Sequence, residues 1–171
     1  MELRGKTCGV IGLGAIGSEF ARLAAALGMR AIGWTIHPRP FPGVEMVELG
    51  ELYRTSDVLS LHLRLSPETE GFLGPSQFAL LKPGAILLNT ARGGLVDEAA
   101  LVDALAAGRI RAGLDVFGAE PLPPDNPWTR LPNVVLTPHC AGISPEVIEA
   151  GMRMAVGNIW AFLEGRPSHL V

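Results

Sequence analysis

Short apolar runs alternate with segments of helical period along the whole chain. The runs of strand length lie at residues 7–11, 30–34, 57–62, 85–88, 112–116 and 134–137. After the first run, apolar residues recur every three or four positions from Ile16, and Gly28 is placed to end that helix. The alternation predicts an α/β fold, a Rossmann-type doubly wound parallel sheet with helices on both faces.

Caps and helix breakers assign most of the remaining segments. Short helices are predicted at residues 48–54 and 74–81, and Asp97 is placed to cap a further helix that Gly108 ends. The proline-rich segments 37–43 and 121–127 are predicted as loops, since proline lacks an N–H donor. A long C-terminal helix is predicted within residues 144–164, and its apolar face is broad enough to dock on something.

Length and composition narrow the class of protein. The 171 residues suit one domain with a proper core, and 48% hydrophobic against 18% charged residues argues against disorder. The net charge of -3 leaves no basic footprint for nucleic acid. No apolar run suits a membrane span or a signal peptide, and two cysteines form no disulfide framework. A reduced, cytoplasmic protein is expected, with no membrane partner and no metal site.

A glycine-rich turn, residues 12–17, carries the sequence GLGAIG. It follows a strand and opens an amphipathic helix, the setting in which this pattern binds a dinucleotide. Its first glycine allows the tight turn, the second the approach of the pyrophosphate, and the third close helix–strand packing. The helix N-terminus then offers free N–H groups to the phosphates. The predicted contacts are Gly12, Gly14, Ala15, Ile16 and Gly17. A turn without a ligand is the alternative.

The end of the second strand bears on the choice of cofactor. Such sites usually place an acid there to bind the ribose 2′-hydroxyl, but residues 34–37 read WTIH, and Arg39 lies close by. Thr35 and Arg39 are the predicted contacts. An arginine attracts a 2′-phosphate that an acid would repel, so NAD and NADP both stay open. Alternatively, Arg39 is only a solvated loop residue.

Three polar residues each follow the end of a predicted strand: Arg92, Glu120 and His139. Reduction of a 2-oxo acid needs a cation for the carboxylate and carbonyl, which suits arginine. It also needs a proton donor with a pKa near working pH, which suits a histidine held by a carboxylate. Because the carboxyl ends of parallel strands share one edge, the three are expected to converge. Taken singly, each could be a surface or core residue without a function.

The segments 89–101, 113–122 and 133–139 resemble the signatures of the D-isomer-specific 2-hydroxyacid dehydrogenases. Nearly the whole chain is similar to the nucleotide-binding domain of that family. The resemblance implies that Arg92 binds substrate, that His139 is the acid/base and that Glu120 is its partner. It also implies a cofactor contact at Asp115, to the nicotinamide carboxamide, and Ala91 is assigned as a further one. Family members include phosphoglycerate dehydrogenases and glyoxylate or hydroxypyruvate reductases.

The chain also departs from the family. Arg64 stands where relatives often have proline and would add positive charge near the adenosine, and both Cys140 and Cys8 are expected only to pack. The family builds its substrate domain largely from residues before the nucleotide domain, so residues 1–171 are expected to be the cofactor-binding part, with that domain largely absent. The apolar face of the terminal helix is expected to repack on this domain or to pair with a second copy, and a homodimer is the expected assembly. Two alternatives stay open: a dinucleotide-sensing, corepressor-like interaction module, and a structural domain that would leave the polar trio unexplained.

Overall fold

The structure is a computed structural model that describes residues 2–169. The chain divides into two compact units, with the boundary between Pro138 and His139. The first unit carries the sheet and four α-helices, and the second carries the C-terminal helix.

A seven-stranded parallel sheet forms the first unit, in the order β3-β2-β1-β4-β5-β6-β7. Strand order reverses at β1, so the carboxyl ends of β1 and β4 flank the crevice where open α/β sheets bind ligands. The strands are β1 Thr7–Ile11, β2 Arg30–Trp34, β3 Glu45–Met46, β4 Val58–Leu61, β5 Ile86–Asn89, β6 Arg111–Leu114 and β7 Val134–Leu136.

Helices connect these strands, as the parallel pairing requires. Asp97 caps α4 by accepting a hydrogen bond from the Ala100 amide at 3.0 Å, as predicted. The helices are α1 Ala15–Ala26, α2 Leu49–Thr55, α3 Pro75–Leu80 and α4 Glu98–Ala106, with 3₁₀ turns at Gly93–Leu95 and Pro127–Arg130.

Two hydrophobic clusters show that both faces of the sheet are used. Cys8 and Val10 of β1 pack in the cluster that includes Ala21 and Ala24 of α1. Ile11 belongs to the other cluster, which gathers buried residues of α2, α3 and α4. Burial raises the pKa of the Cys8 thiol to about 12, so this cysteine is a packing residue, as expected.

The second unit is dominated by α5, Pro145–Leu163. Ser144 caps it by accepting a hydrogen bond from the Val147 amide at 3.2 Å, and Glu149 pairs with Arg153 one turn along. None of the helix residues is buried, and Met152, Trp160 and other apolar side chains are exposed. Among the described residues, no helix is long and apolar enough to cross a membrane.

The predicted fold class is confirmed, and the long helices and all six predicted strands lie where expected. Sequence reasoning missed β3, a strand of two residues in the loop after the prolines. It also missed the 3₁₀ turn Pro127–Arg130, which begins at the last residue of a predicted loop. Both are too short to leave a periodic pattern. Met1, Leu170 and Val171, which the predicted domain range includes, lie outside the described residues.

Candidate active site

The glycine turn packs so tightly against backbone atoms that two of its positions leave no room for a side chain. Gly12 has a φ of 95°, and a Cβ there would lie 2.6 Å from the carbonyl oxygen of His62. A Cβ on Gly17 would lie 1.9 Å from the carbonyl oxygen of Gly12. The turn is anchored to β2, because the Gly12 amide donates to the Trp34 carbonyl at 2.8 Å. The roles predicted for the first and third glycines thus have a steric basis.

Gly14 differs, because a Cβ built there would meet nothing within 4 Å. The open space lies at the N-terminus of α1, where Gly14 is the N-cap, supplies no side-chain cap and leaves amide groups to be satisfied. No acidic residue lies in the first turn of α1 to oppose an anion. The residues present therefore fit a dinucleotide pyrophosphate, which Gly14, Ala15 and Ile16 would hold.

The end of β2 carries the residues that bear on cofactor choice. Thr35 is half-buried, directly after the strand. Arg39 is exposed, and its guanidinium carbon lies 4.9 Å from the ring centroid of Phe41. This cation–π contact holds the charge beside the loop that follows β2.

The loop that carries Arg92 is shaped by a buried amide. Asn89 ends β5, is 2% exposed, donates from Nδ2 to the Arg92 carbonyl at 2.9 Å and accepts from the Ala91 amide at 3.1 Å. The Arg92 side chain is exposed and donates to the neighbouring Ala91 carbonyl at 2.6 Å. The guanidinium is therefore held at the sheet edge on a fixed backbone.

One cavity of about 400 Å³ brings several predicted residues together. Ile16, at the start of α1, lies in its wall with Ala91 and Arg92, so the cofactor turn and the candidate substrate arginine share it. Arg64 lines it as well. The complete lining is Ile16, His62, Leu63, Arg64, Leu65, Thr90, Ala91 and Arg92.

Glu120 lies on a turn that packs against the Arg92 loop. The Phe117 amide donates to Glu120 Oε1 at 2.9 Å, and the Gly118 amide donates to Glu98 Oε1 at 2.6 Å. Gly93 lies directly beneath this turn, since a Cβ there would stand 2.0 Å from the Phe117 carbonyl carbon. The backbones that carry Arg92 and Glu120 are thus in direct contact.

Asp115 and His139 complete the predicted set. Asp115, just after β6, is 3% exposed and accepts a hydrogen bond from Thr137 Oγ1 at 2.5 Å. His139 is the first residue of the second unit, and the next residue, Cys140, is exposed. The backbone of His139 has a φ of 52°, in the left-handed region that few residues other than glycine adopt. Such a conformation is common at functional positions.

Sequence reasoning missed His62, which lines the cavity and whose backbone carbonyl packs closely against Gly12. Its ring lies 5.1 Å from the ring of Phe20, and Nε2 lies 2.9 Å from Ser60 Oγ. Burial lowers the pKa of His62 to about 4, so its imidazole is neutral near pH 7. Its position at the end of β4 was the available signal.

We expect the His62 imidazole to make unfolding depend on pH. Its pKa is about 4 in the folded chain and 6.5 in the unfolded one, so only the unfolded chain gains this proton between those values. The contribution of the neutral imidazole to the free energy of unfolding is complete above pH 6.5 and is lost as the pH falls toward 4. Because His62 is partly exposed, we reduce the estimate for solvent screening and expect the free energy of unfolding to fall by about 1 kcal/mol between pH 7 and pH 5.

Urea unfolding of the wild type and His62→Gln at pH 7 and pH 5 measures this contribution. The glutamine can keep a bond to Ser60 but takes up no proton. The variant should therefore lose about 1 kcal/mol less than the wild type on acidification. Equal losses in the two proteins would refute the assignment.

Together, the parallel sheet, the glycine turn at the point where strand order reverses and the open helix N-terminus define a dinucleotide-binding domain. Comparison with known proteins is more specific. Residues 1–141 match the family described as "D-isomer specific 2-hydroxyacid dehydrogenase, NAD binding domain". The chain belongs to this family.

Individual relatives support this membership. The chain is 46% identical to a glyoxylate reductase of Aeropyrum pernix over 100% of its own length and 53% of that protein. It superimposes with a TM-score of 0.94 on an acyclic imino acid reductase in complex with NADPH and D-Arg, at 40% identity over 100% of this chain and 55% of that one. It also superimposes on a Lactobacillus jensenii D-lactate dehydrogenase with NAD+, with a TM-score of 0.93 at 32% identity over 100% of this chain and 56% of that one. The chain spans about half the length of these relatives.

Proposed function

We propose that the protein is an NAD(P)-dependent oxidoreductase that interconverts a small 2-oxo acid and the D-2-hydroxy acid, with this chain as its cofactor-binding part. One observation carries the proposal: Arg92 and Ile16 line the same cavity. A group suited to a carboxylate and the start of a cofactor-binding helix therefore open onto one space. The similarity to a glyoxylate reductase supports a short 2-oxo acid as substrate.

Arg92 is proposed to hold the substrate carboxylate and polarise its carbonyl. The guanidinium stays charged at any working pH and bonds a carboxylate with two parallel hydrogen bonds. Asn89 fixes the backbone on both sides of the Arg92 loop, which limits the freedom lost when substrate is bound. The reduced nicotinamide, when bound, supplies the hydride to the carbonyl carbon.

His139 is proposed to give a proton to the oxygen of the reduced carbonyl, and to take it back in the oxidative direction. A carboxylate beside an imidazole holds its tautomer and favours the protonated form, the role proposed for Glu120. The left-handed backbone of His139 supports a functional position. The hydrogen bond from the Phe117 amide, which holds the Glu120 carboxylate on its turn, supports the role of Glu120.

The cofactor contacts proposed from the sequence are the residues of the glycine turn, with Thr35, Arg39, Ala91 and Asp115. Both NAD and NADP are compatible with them, because the strand end has no acid and Arg39 stands nearby. The relatives include one structure with NAD+ and one with NADPH. Every binding assay should therefore compare NADH with NADPH.

Oxidation of NADH and NADPH with glyoxylate and hydroxypyruvate tests the proposal. We expect His139→Ala to lower kcat/KM at least 100-fold, the usual contribution of a general acid. Arg92→Gln should chiefly raise the KM for the 2-oxo acid. Both variants should keep the cofactor affinity of the wild type.

The control is Arg22→Gln, an exposed arginine of α1 that pairs with Glu19 outside the cavity. It should leave both activity and cofactor affinity unchanged. If the His139→Ala variant kept the activity of the wild type, the acid/base role proposed for His139 would be contradicted. Cofactor binding without turnover would instead point to substrate contacts outside this chain.

We also propose that the protein is a cytoplasmic homodimer. Two cysteines give the chain no disulfide framework, which suits a reducing compartment. The exposed apolar side chains of α5 suit a covered surface, since large apolar patches are unusual on monomers. Sedimentation equilibrium of the chain tests the dimer, and a monomer at all concentrations would contradict it.

A further inference from the structure

Two arginines occupy matching positions beyond a pair of neighbouring strands. Leu61 at the end of β4 pairs with Asn89 at the end of β5. Arg64 and Arg92 each lie three residues further along, and both line the same cavity of about 400 Å³. Since paired strands lie about 4.8 Å apart, the two side chains start from neighbouring points of one edge.

The backbone that carries Arg64 is held firmly. Thr69, which is 3% exposed, donates from Oγ1 to the Arg64 carbonyl at 2.7 Å and accepts from the Ser66 amide at 2.8 Å. Beyond it, the Gly71 amide donates to the Gly94 carbonyl at 2.8 Å. The loop after β4 is thereby fastened to the loop that follows Arg92.

The described residues leave the two positive charges in this cavity without a negative partner. None of the residues that line it is acidic, and no described residue forms an ion pair with either guanidinium. Two like charges at one site repel, and a ligand with negative charge at both ends relieves that repulsion. Arginine is well suited to such a ligand, because its planar donors match a carboxylate.

We propose that Arg64 and Arg92 form a two-guanidinium site whose substrate is a 2-oxo acid with a second carboxylate, held by Arg64. This rests on the proposed function, in which Arg92 holds the first carboxylate. Arg64 would then determine specificity and leave the chemical step to the other groups. The pyrophosphate of the cofactor is the other anion that Arg64 could meet, and the test separates the two.

The test compares two acids of equal chain length, 2-oxoglutarate with two carboxylates and 2-oxopentanoate with one. Each is titrated into the ¹⁵N-labelled chain with NAD+, which cannot reduce the acid, and the amide shifts of Ala91 and Arg92 report binding. We expect 2-oxoglutarate to bind about tenfold more tightly, the worth of one charge-assisted contact. Arg64→Gln should reduce that preference to about twofold, and Arg22→Gln should keep it.

The possible results are distinct. Equal affinities for the two acids in the wild type would overturn the inference and leave the proposed function intact. A preference that survives in Arg64→Gln, with weaker NADH binding, would overturn it in favour of the cofactor pyrophosphate. If neither acid binds, this inference fails, while NADH titration still tests the cofactor site and the activity assay with glyoxylate still tests the role of Arg92.

Discussion

Gly14→Ala should weaken NADH binding at least tenfold, or about 1.4 kcal/mol, while the folded chain keeps most of its stability. A Cβ at Gly14 meets nothing within 4 Å, so the protein itself accommodates it. The methyl group would fill the space in which a pyrophosphate approaches the backbone. The change at this N-cap costs up to about 1 kcal/mol of stability. Fluorescence titration with NADH and thermal unfolding measure the two effects.

Gly17→Ala is the matched control, three residues along the same turn. Its Cβ would lie 1.9 Å from the Gly12 carbonyl oxygen, so the backbone of the turn has to shift. Such overpacking costs about 1–3 kcal/mol or more, and we expect stability and NADH affinity to fall together. Normal NADH affinity in Gly14→Ala would show that no ligand approaches the turn at that point.

Gly93→Ala should lower the melting temperature by roughly 6–12 °C, as expected for a loss of about 3 kcal/mol in a chain of this size. The new Cβ would stand 2.0 Å from the Phe117 carbonyl carbon and 2.5 Å from the Gly118 nitrogen. Neither atom can move without displacing the turn that carries Glu120. Catalytic activity should therefore fall in whatever fraction of the variant still folds.

Gly94→Ala provides the comparison for that change at the next residue. A Cβ there would lie 3.1 Å from Leu65 Cδ2, the flexible end of a partly exposed side chain. We expect a loss below about 1 kcal/mol, since a side chain can give way where a backbone cannot. Calorimetry measures the melting temperatures of both variants. Equal melting temperatures would contradict the close contact at Gly93.

Most of the fold could be predicted because its elements are long and periodic. Strands buried on both faces read as apolar runs, and Asp97 and Gly108 mark the ends of α4 as expected. β3 could not be predicted, because Glu45 and Met46 carry no pattern and pair only through tertiary position. Strand order is likewise a tertiary property that local sequence does not encode.

The polar residues of the site could be predicted from the sequence. The contacts that hold these residues in place could be predicted less well. Arg92 and Ile16 were assigned from strand ends and the glycine turn, and they share one cavity. The contact of Gly93 with the Phe117 turn joins residues more than 20 positions apart, so spacing gave no sign of it. The support from Asn89, His62 and Thr69 depends in the same way on loops whose paths only the folded chain defines. The roles of Glu120 and His139 stay predictions until activity is measured.

Titration of the wild-type chain with NADH and with NADPH, followed by nicotinamide fluorescence, tests the central claim most directly. A cofactor-binding domain of this family should saturate at one NADH or NADPH per chain, and the matching oxidised cofactor should displace it. The Gly14→Ala variant should require at least a tenfold higher concentration to reach the same occupancy. No saturable binding of either NADH or NADPH by the folded wild-type chain would contradict the account.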